Sequence, residues 1–397
     1  MTNKRVRGDG SETRNTGKKR KGWIGILIGA VMGGIAGWSG MSAIYGGEAA
    51  ETAGGWLLLI GKVMLAMCLA VYLQIIVHEA GHLLFGRLSG YRFASFRIGR
   101  WMLIRQNGKL RSKRYTVDGT GGQCLMRPPG DVGDAYPVFI YNFGGVILNL
   151  TVGLVALLLF LLAPGGAFYS ALCGVLFAAG LIFAALNGIP LRISGMPNDG
   201  YNARMLGKDP QVRRAFWQQL RINADLGDGM RLRDMPEEWF FVPPDADLSD
   251  PLICSAAILA CSRLHDQRLF AEAREESRRI LRETPRMVPA LENELLCELL
   301  FYEIMEENRA AEVARLDTKS LQKYRKLTAG YVQRIRLSYA YARLVSKDRQ
   351  QAEKLLAAFE KAARAYPYEG EIAAERELLT MIDERAARTG ETEGDEI

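Results

Sequence analysis

The chain has 397 residues, 49% of them hydrophobic and 24% charged, with a formal net charge of +7. The length allows two or three domains, and the apolar segments lie before about residue 190 and the charge-rich ones after it, so a membrane half precedes a soluble half. The basic residues cluster beside the apolar spans, where anionic lipid and the positive-inside rule account for them, and no nucleic-acid partner is expected. Six cysteines, Cys68, Cys124, Cys173, Cys254, Cys261 and Cys297, show no paired spacing, which argues against a disulfide framework and for reduced thiols.

Residues 1–21 form a basic tail carrying Lys4, Arg5, Arg7, Arg14, Lys18, Lys19, Arg20 and Lys21. Four apolar spans follow, from about Gly22 to Tyr45, Trp56 to about Leu84, about Pro137 to Leu162, and about Phe168 to Ile189, each long enough for a hydrocarbon core of ~30 Å. The first is too long for a secretory signal and reads as a retained span. Its Gly25, Gly29, Gly33 and Gly37 make a strip on which another helix can pack closely, and Lys62 of the second span reads as snorkelling outward. The loop after the first span holds Glu48 and Glu51 and no Lys or Arg, whereas Arg87 to Arg127 is densely basic. This charge pattern predicts a multi-pass protein of the cell membrane with both termini cytoplasmic.

After the second span, Arg100 to Arg105 and Lys109 to Val117 flank Asn107-Gly108, the favoured two-residue turn of a β-hairpin. A short cytoplasmic hairpin is expected there, either as a solvated basic loop or as an edge strand that pairs with an extended peptide.

The chemistry-bearing motif is His78-Glu79-Ala80-Gly81-His82, directly after the apolar run Trp56 to Val77. Side chains four apart on an α-helix share a face, so His78 and His82 can offer two imidazole nitrogens to one Zn²⁺, with Glu79 beside them to act on water. Ionisable groups at membrane depth are costly, and their default reading is functional. A zinc site normally takes three protein ligands, and the one other histidine, His265, lies in the soluble half, so the third must be a carboxylate or, less often, a cysteine. The segment Asn187 to Gly200 offers Asp199 as its sole carboxylate; Pro190 and Pro197 break the helix, and Gly195 and Gly200 permit tight turns.

With these motifs the chain resembles the site-2-protease-type intramembrane zinc metalloproteases. His78, Glu79 and His82 match that family's HExxH in a transmembrane helix, and Asn187, Pro190, Asp199 and Gly200 match its later Asn-x-x-Pro stretch and Asp-Gly pair, whose Asp is the third zinc ligand. Gly145-Val146-Ile147-Leu148-Asn149 resembles the Gly-Pro-x-x-Asn stretch of the intervening helix, with Val146 where Pro is more usual, and the basic hairpin resembles a membrane-associated β region. Pro190 and Asp199 stand about one helical turn further apart than is common in the family. The resemblance covers roughly Trp56 to Tyr201 and implies metal-assisted peptide hydrolysis with Glu79 as general base, Zn²⁺ held by His78, His82 and Asp199, and a membrane-embedded or membrane-associated protein or peptide as substrate. Asn149 and Asn187 are the candidates for holding an unwound substrate strand; a lone Asn in a span such as Asn149 is more often a helix–helix hydrogen bond than a substrate contact.

The domains expected are a membrane-embedded part over 22–202, a linker over 203–251 with the aromatic cluster Trp239, Phe240 and Phe241, a cytoplasmic helical domain over 252–388, and an acidic disordered tail over 389–397. Leu269 to Thr284 and Glu353 to Ala365 end at Pro-bearing turns, which resembles helical-hairpin repeats of the tetratricopeptide type; an ordinary bundle is the alternative. That domain suits a regulatory protein partner. The fold class is mainly α, a polytopic membrane protein with about four transmembrane helices, a short β-hairpin and a helical soluble domain. A catalytically silent scaffold that binds clients through the helical domain is the alternative function.

Overall fold

The computed structural model describes residue 34 and residues 52–117, 120–133, 135–163, 165–193 and 196–392. The basic tail and, Gly34 apart, the expected span from Gly22 to Tyr45 lie outside the described residues, as does the acidic tail beyond Thr392. The chain divides into two compact units, residues 1–81 with 145–189, and residues 82–144 with 190–397.

Three helices carry the apolar sequence: α1 (Ala53–Leu88), α2 (Phe139–Leu162) and α3 (Ala167–Gly188). All three are long and apolar enough to cross a membrane. At 36 residues, α1 is about 54 Å long, more than a hydrocarbon core of ~30 Å requires, so part of it must extend beyond that core. In the first unit Leu57, Leu58, Met64 and Leu65 of α1 and Leu154, Leu158, Leu161 and Leu162 of α2 are exposed, as lipid-facing side chains are, while Ala66, Ala70 and Gln74 are fully buried. Helices α2 and α3 approach closely where both lack side chains: a Cβ on Gly153 would lie 3.3 Å from the Phe177 carbonyl oxygen, and one on Gly180 2.7 Å from that of Asn149.

The second unit opens with an antiparallel sheet of β1 (Arg92–Ile98), β2 (Trp101–Gln106), β3 (Lys109–Arg114) and β4 (Gly122–Arg127), in the order β3-β2-β1-β4. The expected hairpin is β2–β3, closed by Asn107 and Gly108 with φ of 49° and 74°, the left-handed pair that a two-residue turn of matching twist requires. It is not isolated, because β1 pairs with β2 and with β4. Along β2, Met102, Ile104 and Gln106 are buried and Trp101, Leu103 and Arg105 exposed, so the sheet covers one face only.

After a two-stranded ladder, β5 (Arg192–Ile193) and β6 (Met196–Pro197), the rest of this unit is helical: α4 (Asp199–Leu206), α5 (Pro210–Gly227), α6 (Pro251–Asp266), α7 (Phe270–Glu283), α8 (Pro289–Glu306), α9 (Ala310–Leu316), α10 (Lys319–Leu327), α11 (Val332–Ala340), α12 (Arg349–Ala365) and α13 (Glu369–Thr392). Within residues 203–251, helix α5 buries Val212, Phe216, Trp217 and Leu220 at helical spacing, and the Trp217 and Trp239 rings meet edge to face at 5.8 Å. Of the aromatic cluster, Trp239 and Phe240 are buried in this core and Phe241 is exposed.

Deeper in the helical part an ionic cluster replaces apolar packing. Arg336, 1% exposed, pairs with Glu298 at 2.7 Å and Glu375 at 2.8 Å, with its guanidinium 4.0 Å over the Phe301 ring. Glu371 lines a cavity of about 310 Å³ beside them, and burial, with Glu375 and Asp266 nearby, pushes its carboxyl from 4.5 up to about 7 against the hydrogen bond donated by the Tyr366 hydroxyl. A carboxyl with a raised folded pKa binds its proton more tightly folded than unfolded, so its contribution to stability is present at low pH and is lost as pH rises from about 4.5 through about 7. The Glu371→Gln variant, which still accepts from Tyr366, should therefore gain stability over wild type between pH 5 and pH 8, by on the order of 2 kcal/mol at the upper end. Thermal unfolding of the full chain in detergent across that range checks this, and a difference independent of pH contradicts it.

Candidate metal centre

His78, Glu79 and His82 stand near the C-terminal end of α1, which runs unbroken through them. Four residues are 400° of helix, so the two imidazoles leave the same side of α1 about 40° apart. Both are 8% exposed, and Glu79 is half-buried.

In the first unit, His78 Nδ1 lies 2.8 Å from Asn149 Oδ1 on α2. Asn149 is fully buried, and its Nδ2 donates to the backbone carbonyl and the side-chain oxygen of Gln74, at 2.9 and 2.6 Å. Asn187 instead donates to the Phe183 carbonyl one turn back in its own helix, at 3.0 Å.

In the second unit, His82 Nδ1 lies 2.9 Å from the Tyr141 carbonyl oxygen in the first turn of α2. That turn is tied to the sheet: the Tyr141 ring stacks on Tyr91 at 4.5 Å, the Tyr141 hydroxyl donates to Cys124 O of β4, and the Tyr91 hydroxyl donates to Pro137 O. A carbonyl oxygen only accepts, so Nδ1 of His82 holds a proton and Nε2 of the neutral ring is the lone-pair nitrogen. This Nε2 faces Asp199 Oδ2 at 3.4 Å. An imidazole lone pair and a carboxylate oxygen repel at that distance unless a cation lies between them, either the proton of an imidazolium or a metal ion. An imidazole nitrogen and a carboxylate oxygen are donors of the kind that hold a metal ion such as zinc.

Asp199 reaches His82 through local chain geometry. Strands β5 and β6 fold the chain back on itself, with Arg192 opposite Pro197 and Ile193 opposite Met196. Asn198 closes the fold-back: its amide N donates to Leu191 O at 3.1 Å, and its Oδ1 accepts from Leu191 N at 3.0 Å and from Tyr201 N at 2.9 Å, which makes it the N-cap of α4. The additional residues between Pro190 and Asp199 are thus taken up as a return, and Asp199 starts α4 where a carboxylate is favoured by the helix dipole.

The structure accordingly brings His82 to Asp199 in one unit and His78 to Asn149 in the other, and leaves Asn187 on its own helix. Sequence reasoning missed Gln74, Asn198 and the Tyr141 carbonyl. Gln74 left a signal, as a polar residue inside an apolar run four places before His78; Tyr141 left none, because it acts through its backbone.

Two imidazoles on an apolar helix, one of them faced by a carboxylate, define a metallopeptidase of the membrane once the comparison with known families is added. The model of Peptidase family M50, the site-2 protease family, matches residues 66–367, most of the chain. The chain belongs to that family. No curated protein and no solved structure matches it significantly.

Replacing the cap tests how Asp199 is placed. Asn198→Ala should cost about 1–2 kcal/mol, while Asn198→Asp, which keeps the acceptor, should cost little. Chemical denaturation of the two variants in detergent measures the difference, and equal losses would mean that the cap is not what holds this turn.

Proposed function

We propose that the protein is an intramembrane zinc endopeptidase that cleaves membrane-embedded or membrane-associated polypeptides, in regulated intramembrane proteolysis or peptide processing. The observation that carries this reading is the lone-pair nitrogen of His82 facing Asp199 Oδ2 at 3.4 Å, with His78 one turn earlier on the same unbroken helix. His78, His82 and Asp199 would together hold the ion, a donor set of two imidazoles and one carboxylate that suits zinc and leaves a position for water or substrate. Zinc held there supplies Lewis acidity, which acidifies water and polarises a carbonyl.

The rest of the work falls to the chain. Glu79, next to His78, takes the proton of the attacking water and returns it to the departing amine. The buried histidines keep bulk water from competing for the ligand positions. A helical substrate must unwind before its peptide bonds can be attacked, and β3, an outer strand of the sheet, has the unpaired edge that an extended segment requires. The charge pattern of the loops supports a multi-pass arrangement with cytoplasmic termini, and the helical part after α5 supports docking of a regulatory protein.

Glu79→Gln should lower the hydrolysis rate by about 10²–10⁴ with bound zinc retained, and Asp199→Ala should lower zinc content as well as activity. Metal analysis of the purified variants beside a cleavage assay on a membrane-anchored substrate reads both. A wild-type chain without zinc, or a Glu79→Gln chain as active as wild type, would favour a client-binding scaffold.

A further inference from the structure

The environment of His78 fixes more than its position. The Leu176 carbonyl on α3 can only accept, and Gln74 Nε2 donates to it at 2.7 Å, which orients the Gln74 amide and turns Oε1 toward Asn149. Asn149 must answer with Nδ2, which donates to that Oε1 and to Gln74 O. Asn149 Oδ1 is then left to accept from His78, so Nδ1 is the protonated nitrogen and Nε2 the ligand nitrogen. Each assignment follows from the one before, starting at a group with no choice.

The same cluster sets where the ring lies. A Cβ on Gly145, one turn before Asn149 on α2, would sit 2.5 Å from His78 Cε1 and Nδ1, so the imidazole rests directly on the α2 backbone. A Cβ on Gly180 would lie 2.9 Å from Gln74 Nε2, so the Gln74 amide needs the bare backbone of α3 at that point.

We propose that Gln74, Asn149 and Gly145 form a positioning device for His78, with Gly145 admitting the ring, Asn149 holding its Nδ1–H, and Gln74 orienting Asn149. The proposal rests on the reading of His78 as a zinc ligand and adds how that ligand is prepared. Gln74 and Asn149 act through His78 and need touch no substrate. Their effect should appear in metal binding before any turnover, because a mispositioned or wrongly protonated imidazole must be reorganised for the ion to bind.

The test uses the full chain in detergent, stripped of metal and titrated with Zn²⁺ against a competing chelator, with the visible absorption of the Co²⁺-loaded protein as a second readout. Asn149→Leu, Gln74→Leu and Gly145→Ala should each weaken Zn²⁺ binding by roughly 10–100-fold and alter the Co²⁺ bands. Gly153→Ala, which crowds the same α2–α3 contact at the Phe177 carbonyl without touching His78, should stay within about threefold of wild type and keep the bands, which a merely structural role for the cluster would not allow. Wild-type affinity in Asn149→Leu and Gln74→Leu, or an equal loss in Gly153→Ala and Asn149→Leu, overturns the proposal. A wild-type chain that binds no Zn²⁺ overturns instead the metal reading beneath it.

Discussion

A neutral imidazole carries one proton and one lone pair, and the partner of one nitrogen decides what the other can do. Much of this molecule is arranged around that constraint. His82 donates its Nδ1–H to the Tyr141 carbonyl, and the Tyr141 turn is held by stacking on Tyr91 and by the hydroxyl bond to β4. His78 donates its Nδ1–H to Asn149 Oδ1, and the Asn149 amide is oriented from α3 through Gln74. The sheet and the start of α2 serve His82 in one unit, and the close approach of α2 to α3 serves His78 in the other; in each, Nδ1 is engaged and Nε2 is presented.

The elements that could be read from the sequence were those whose signal is local. The three described apolar helices begin and end within a few residues of the hydropathy limits, because nothing but length and apolarity is needed to specify them. The Asn107-Gly108 turn announced β2–β3 for an equally local reason. Strands β1 and β4 were hidden: Arg92 to Ile98 and Gly122 to Arg127 do not alternate cleanly, since β1 is an interior strand with a register shift between Phe93 and Ser95, and its Arg97 is buried. Helix α5 was obscured by Arg213, Arg214 and Arg221, whose charges mask an apolar face centred on Trp217.

The site was legible to the same extent. A four-residue spacing fixes two histidines on one helix face, so His78 and His82 needed no tertiary information. Asp199 could be nominated as the carboxylate of its segment, but the feature that delivers it to His82, the return through β5 and β6 capped by Asn198, depends on hydrogen bonds from Leu191 and Tyr201 that composition does not encode. The Asn149 side chain was visible as a polar residue in a span; that it meets His78 on one side and Gln74 on the other is a property of helix packing alone.

The two histidines are secured by different kinds of acceptor, and the difference has consequences for what sequence change can do. A backbone carbonyl cannot be removed by substitution, so any residue that keeps the first turn of α2 in place preserves the partner of His82. The partner of His78 is a side chain oriented by a second side chain, and an unsatisfied amide away from water costs a few kcal/mol. Loss of the Gln74 side chain would remove one of the two acceptors of Asn149 Nδ2 and leave the Gln74 carbonyl, and loss of Asn149 would remove the partner of Gln74 Oε1 and the acceptor facing His78 Nδ1, so each amide supports the next. The exposed side chains of α1 nearest in sequence to Gln74, Leu69 and Tyr72, bear no comparable obligation.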